Sequence, residues 1–130
     1  MEGSGETTLA SGAAGPLPVT WASRTEQASG KTSPEELIAA AHAACYSMAF
    51  ANGLSKAGFT PTRLETDATA SFEKVEAGWR LVRMALRVHG EVPGIEEAAF
   101  LDQAIAAKEG CPVSNALKGN VEITVEATLA

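Results

Sequence analysis

The 130-residue chain has little cysteine and little histidine, two of each, and no pair of them falls at the close Cys-x₂₋₄-Cys or His-x₃₋₅-His spacing of a zinc site. Two cysteines cannot form the disulfide framework of a small secreted scaffold. No stretch approaches the roughly 18 apolar residues, free of polar interruption, that a membrane span needs. Residues Met1 to Thr7 carry neither the basic segment nor the apolar segment of a secretion signal. These absences predict a cytoplasmic protein, in which a disulfide would be transient and functional. Ten scattered Lys and Arg against sixteen Asp and Glu, a net charge of −6, leave no basic stripe, so nucleic acid and membrane are not expected as partners. Beyond a Gly/Ser-rich start there is no low-complexity tract and no internal repeat. The length fits one domain over residues 1–130, large enough to bury a core without staples.

Residues 1 to 32 are rich in Gly, Ser, Thr and Pro, and two short runs, Glu6 to Ser11 and Val19 to Arg24, read as weak strands joined by a Gly-Pro turn. A helix start follows at Ser33-Pro34-Glu35-Glu36, with Ser33 as N-cap, Pro34 in the first helical position and Glu36 as the acidic half of a capping box. Gly58 supplies a left-handed stop, so the helix runs about 34 to 57. From Leu37 to Ala51 it is apolar at nearly every position, which predicts burial all round. One small domain cannot surround so long a helix, and a second copy of the chain is implied.

Leu64, Thr66, Ala68, Ala70 and Phe72 alternate with polar residues, as do Val82, Met84, Leu86 and Val88 after a turn near Gly78, which is the pattern of a hairpin with one buried face. Ile95, Ala98, Leu101 and Ile105 follow helical spacing up to Gly110, and Cys111-Pro112 opens a short helix that closes at Gly119. Val121, Ile123, Val125, Ala127 and Leu129 mark a last strand. The order β-β-α-β-β-α-α-β is an α+β fold.

The thiols occupy contrasting places. Cys45 lies in the middle of the long apolar helix, and Cys111 stands immediately before a proline-initiated one. Such a pair suits thiol redox chemistry, which needs one nucleophilic thiolate and a partner to resolve its oxidised form. Packing is the alternative, since free cysteine is among the most buried residue types.

The segment Ser33-Pro34-Glu35-Glu36-Leu37-Ile38-Ala39-Ala40-Ala41-His42-Ala43-Ala44-Cys45-Tyr46-Ser47-Met48, followed by Val92-Pro93-Gly94-Ile95 and by Ala107-Lys108-Glu109-Gly110-Cys111-Pro112-Val113-Ser114, closely resembles the osmotically inducible protein C branch of the organic hydroperoxide resistance family. The resemblance covers nearly the whole chain. It implies an OsmC-like fold with antiparallel sheets around a long central helix, in an intertwined homodimer with two active sites at the interface. It also implies a cysteine peroxidase for organic hydroperoxides in oxidative or osmotic stress defence. Cys45 would be the peroxidatic nucleophile and Cys111 the resolving cysteine, joined as a disulfide in the oxidised form. No cofactor is implied; an external thiol or small dithiol, of lipoyl type for instance, would restore both groups.

The residues matching the family's active-site arginine and glutamate are Arg24 and Glu35. A guanidinium near sulfur lowers a thiol pKa and can hold a peroxide oxygen, and a carboxylate can lock that guanidinium in a bidentate pair. Taken alone, Glu35 is a favourable first-turn acid and Arg24 a solvated charge at a strand end. Two departures from the family pattern stand out: the chain begins near the family's Gly-x-Gly turn, here Gly3-Ser4-Gly5, so that its first strand is shortened, and Thr25 replaces an aromatic residue after the arginine, which predicts a looser loop.

His42 lies three residues before Cys45 on the same helix face. With His89 and the two cysteines it would complete a four-ligand zinc site, a structural alternative. Tyr46, Met48, Phe50, Phe72 and Trp79 are expected mostly in the core, with Phe72 or Trp79 also candidates to line a path for the alkyl part of a hydroperoxide. A non-catalytic module binding a hydrophobic ligand in the same apolar pocket is the other competing reading.

Overall fold

The structure, a computed structural model, describes residues 1–130. In chain order its elements are β1 (Ser4–Thr7), β2 (Leu17–Thr20), α1 (Trp21–Thr25), α2 (Pro34–Lys56), β3 (Arg63–Val75), β4 (Gly78–Glu91), α3 (Glu97–Gly110), α4 (Pro112–Leu117) and β5 (Glu122–Leu129). The first two strands pair as a separate ribbon, shifted from the expected runs. Residues Trp21 to Thr25 are helical rather than extended, because Thr20 and Ser23 form a reciprocal capping box that turns the chain.

Ser33 accepts from the Glu36 amide at 3.1 Å and starts α2. The Glu36 carboxylate, however, takes the Thr32 hydroxyl at 2.7 Å rather than completing the box. Gly58, at φ +91°, ends the helix as expected. β3 and β4 form the expected antiparallel hairpin, with Gly78 in the left-handed region at its turn and a bulge between Ser71 and Phe72. The three-stranded sheet is mixed and not antiparallel throughout, since β5 lies parallel to β4 from Arg83↔Glu122 to Gly90↔Leu129. Alternation of residues sets which face is buried but says nothing of strand direction, and the α3–α4 crossover carries the chain back to the same end of β4.

One face of the sheet packs on the helices. Met84, Leu86 and Val88 of β4 meet Tyr46, Phe50 and Leu54 of α2 and Phe100, Ala104 and Ala107 of α3. The Tyr46 hydroxyl donates to the Ala104 carbonyl at 2.8 Å, which satisfies its one polar atom in this core. Phe100 lies over Gly90, where an added Cβ would come within 2.6 Å of the ring. The buried face of α3 is rotated from the expected one: Leu101 and Ile105 are exposed.

Within a single chain α2 is not buried all round. Glu35, Ala39, His42, Tyr46, Phe50 and Leu54 form one buried stripe, while Ala40, Ala41 and Ala44 are exposed and Met48 is 72% exposed. Trp79 is likewise exposed, against the expectation of a core position. By length and composition α2 could cross a membrane, although His42, Ser47 and Asn52 interrupt its apolar run as expected. Its buried stripe packs on the sheet and α3, as in the core helix of a globular domain. None of the first 31 residues is buried.

Candidate active site

The fold brings the two cysteines together as free thiols, Cys45 half-buried in the middle of α2 and Cys111 fully buried as the residue before α4. Burial pushes the Cys45 thiol up; the Val113 amide offsets part of this, and the neighbouring Cys111 raises it further. Burial alone would push Cys111 up too. The Ser114 amide, the Cys45 thiol, the Ser114 hydroxyl and the Val113 amide together bring it below the ordinary thiol value. The Val113 amide thus serves both thiols and Ser114 bears on Cys111 alone, while neither sulfur has a cationic group beside it within the chain.

Arg24 and Glu35 are also brought together. Arg24 Nε donates to both carboxylate oxygens, at 2.9 and 3.0 Å, and Nη2 donates to Oε1 at 2.6 Å. The Glu35 side chain is 9% exposed and that of Arg24 31%. A buried bidentate pair of this kind fixes the guanidinium plane. Three further contacts hold α1 in place for it: the Ser23 hydroxyl donates to the Thr20 and Thr32 carbonyls, each at 2.8 Å, and the Thr25 hydroxyl donates to the Trp21 carbonyl at 3.0 Å. The guanidinium lies 4.3 Å over the Phe72 ring, and Phe72 stacks on Trp79 at 5.2 Å. An open cleft of about 370 Å³ runs beside Arg24, Glu35, Ala39 and Phe72.

The two halves do not meet within one chain. Glu35 and Cys45 are ten residues apart on α2, about 15 Å of helical rise and about 80° of rotation. Arg24, clamped to Glu35, stays at that end of the helix, and Phe72 and Trp79 stay with Arg24 rather than beside Cys45.

His42 is fully buried, its Nε2 lies 2.7 Å from Ser114 Oγ, and burial lowers its pKa. His89 sits exposed on β4 opposite Glu65, so the four candidate zinc ligands do not converge, and no three His, Cys, Asp or Glu side chains are placed to share a metal ion. The His42–Ser114 contact escaped the sequence reading. Its available signal was His42 one turn before Cys45, together with a serine three residues after Cys111.

A two-thiol site built between a long central helix and a short proline-started one, on a mixed sheet, belongs to a recognisable structural class. The fold matches that of an organic hydroperoxide resistance protein from Legionella pneumophila at a TM-score of 0.73 and 21% identity, over 96% of this chain and 94% of the other. It matches the organic hydroperoxide resistance protein OhrB of Bacillus subtilis at 0.73 and 20%, over 97% and 96%. The OsmC-like protein family model matches residues 26–126, which include Glu35, Cys45 and Cys111 and stop two short of Arg24. The peroxiredoxin OsmC of Escherichia coli is 45% identical over 121 residues, 93% of this chain and 84% of that protein. An organic hydroperoxide resistance protein of Xanthomonas axonopodis is 30% identical over 95 residues, 72% and 65%. The chain belongs to the OsmC-like protein family.

Proposed function

We propose that this chain is a thiol-dependent peroxidase that reduces organic hydroperoxides, acting in the cytoplasm as an intertwined homodimer. The adjacency of two free thiols, one reachable and one buried, carries the reading. The Cys45 thiolate attacks the O–O bond, an alkoxide leaves and takes a proton to become the alcohol, and Cys45 becomes a sulfenic acid. Cys111 then displaces the sulfenic oxygen as water and forms the Cys45–Cys111 disulfide. An external thiol or dithiol reduces it.

Surface area supports the second copy. The chain exposes 7958 Å² for 13.4 kDa, whereas a compact monomer of that mass exposes about 6,500 Å². The excess of roughly 1,500 Å² is what one chain contributes to an obligate dimer of about 3,000 Å². The exposed residues include Ala40, Ala41, Ala44 and Met48 on one face of α2 and Ser4 to Glu6 of β1. Two α2 helices crossing antiparallel about a two-fold axis would bring the Arg24–Glu35 pair of each chain to the Cys45 of the other. That would supply the stabilising charge that Cys45 lacks.

Intact mass after addition of an alkyl hydroperoxide, without thiols, tests the proposal. Wild-type protein should lose two hydrogens per chain. Cys45→Ser should lose all turnover, and Cys111→Ser should consume about one peroxide per chain on reaching the sulfenic acid, gaining one oxygen, and one further peroxide for each oxygen added beyond it. Unchanged thiols would favour a module that binds a hydrophobic ligand, and oxidation confined to Cys111 would reverse the two roles.

A further inference from the structure

Behind the thiol pair, a buried polar link joins α2 to α4. The His42 ring is fully buried, its Nε2 is 2.7 Å from Ser114 Oγ, and Ser114 is 4% exposed. Ser114 stands in the first turn of α4, three residues after Cys111 and buried with it, near enough for its hydroxyl to act on the thiol. The other ring nitrogen, Nδ1, is buried with no partner. An aliphatic side chain would fill this volume without an unsatisfied nitrogen, so packing alone gives no reason for an imidazole here.

The orphaned nitrogen indicates the tautomer. A proton on Nδ1 would leave a buried N–H unpaired and oblige Ser114 to donate to Nε2, turning its hydroxyl proton away from sulfur. With the proton on Nε2, the ring donates to Ser114 Oγ and the serine proton is free to face Cys111. We propose that His42 is a positioning residue for the resolving step: through Nε2–H it orients the Ser114 hydroxyl towards Cys111 Sγ and holds the buried thiolate ready to attack oxidised Cys45.

The inference rests on the two-thiol cycle above and concerns only its second half. In that step the Cys111 thiolate attacks the Cys45 sulfenic sulfur. The S–S bond forms, the S–O bond breaks, and the departing hydroxide takes up the proton that Cys111 lost on ionising, so water is released. Cys111 sulfur is oxidised as Cys45 sulfur is reduced, with no outside reagent. His42 and Ser114 keep their protons throughout. Cys45 and Tyr46, both on α2, are the titratable groups that bear on Cys111.

The test uses the full chain with Ser114→Ala, Ser114→Thr, His42→Leu and His42→Gln; the glutamine amide can still donate where Nε2 did. In a Cys45→Ser background, ultraviolet titration of the remaining thiolate reads Cys111 directly. Loss of a hydrogen bond to the anion should move that titration up by about one unit in Ser114→Ala and His42→Leu, and by much less in Ser114→Thr and His42→Gln. With both cysteines present, single turnover on cumene hydroperoxide should show sulfenic acid forming within twofold of the wild-type rate. Disulfide formation below the thiol pKa should slow at least about threefold, since lost thiolate outweighs gained nucleophilicity. With hydroperoxide in several-fold excess, sulfinic acid should accumulate. A Cys111 titration and a disulfide rate unmoved by Ser114→Ala would overturn the inference, as would His42→Gln behaving like His42→Leu. If His42→Leu fails to fold, Ser114→Ala, one oxygen smaller, carries the test. The titration needs no peroxide, so thiols inert to hydroperoxide would sink the peroxidase reading while the Ser114 link is still judged by its own measurement.

Discussion

Consider a dimer assembled from one Cys45→Ser chain and one Arg24→Ala chain. Arg24 is tied to Glu35 by three short contacts, and about 15 Å of helix separates that pair from Cys45 of the same chain. Its charge therefore acts on the partner's sulfur or on none. At about 4 Å in an effective dielectric near 20 the attraction is about 4 kcal/mol, and partial solvent screening of a guanidinium reduces it to about 2 kcal/mol, some 30-fold in thiolate population. Arg24→Ala homodimers should lose at least about that factor. If the arginine serves the partner, one site of the mixed dimer collects both lesions and the other collects none, so the purified heterodimer should return about half of wild-type activity. Co-expression with two affinity tags yields the heterodimer, and peroxide consumption with a dithiol reads it. Arg24→Ala also strands a carboxylate that is 9% exposed, at a cost of about 3–5 kcal/mol; Arg24→Ala/Glu35→Gln, which removes the buried charge, is the companion variant if the single one unfolds. A heterodimer as inactive as its parents would refute the shared site.

Alkyl and aryl hydroperoxides should have higher kcat/KM than hydrogen peroxide, because an alkyl group buried against Phe72 and α2 contributes about 25 cal/mol per Å², a few kcal/mol in all; equal values would remove the case for an apolar pocket. Gly90→Ala should lower stability by about 1–3 kcal/mol in urea denaturation, since the new Cβ would come within 2.6 Å of Phe100. Burial lowers the His42 pKa from 6.5, so the unfolded chain binds more protons in the window below 6.5. Stability should therefore fall as pH drops through that window, and a His42→Gln variant that lost stability just as steeply would show that the acid sensitivity lies elsewhere.

Much of this was legible in the sequence because local signals agreed with the fold. Ser33-Pro34 and Gly58 bounded α2 to within a residue, and the alternation in β3 and β4 gave their buried faces. The thiol pair and the Arg24–Glu35 pair were found through motif resemblance, since nothing in the spacing of Arg24, Glu35, Cys45 and Cys111 brings them together. The parallel setting of β5 was not legible, because a period of two is the same in either direction. Nor was the rotation of α3: Ala104 and Ala107 are too small to mark a face that Phe100 alone anchors. The capping box of α1 turned a weak strand signal at Val19 to Arg24 into a helix, through two hydroxyls that composition counts as loop formers.

The unequal burial of the two sulfurs fixes the direction of the return journey. Cys111 is wholly enclosed and Cys45 is not, so on the proposed cycle a reducing thiol approaches the disulfide only from the Cys45 side. The first mixed disulfide is then carried by Cys45, and Cys111 is the group expelled. Thiol–disulfide exchange runs faster when the departing sulfur is the more acidic. A Ser114 hydroxyl that steadies a negative Cys111 before oxidation, as proposed above, would also make it the better leaving group afterwards, and a bulky protein reductant that cannot reach into the α2 face would be served poorly by the same geometry that admits a slender dithiol.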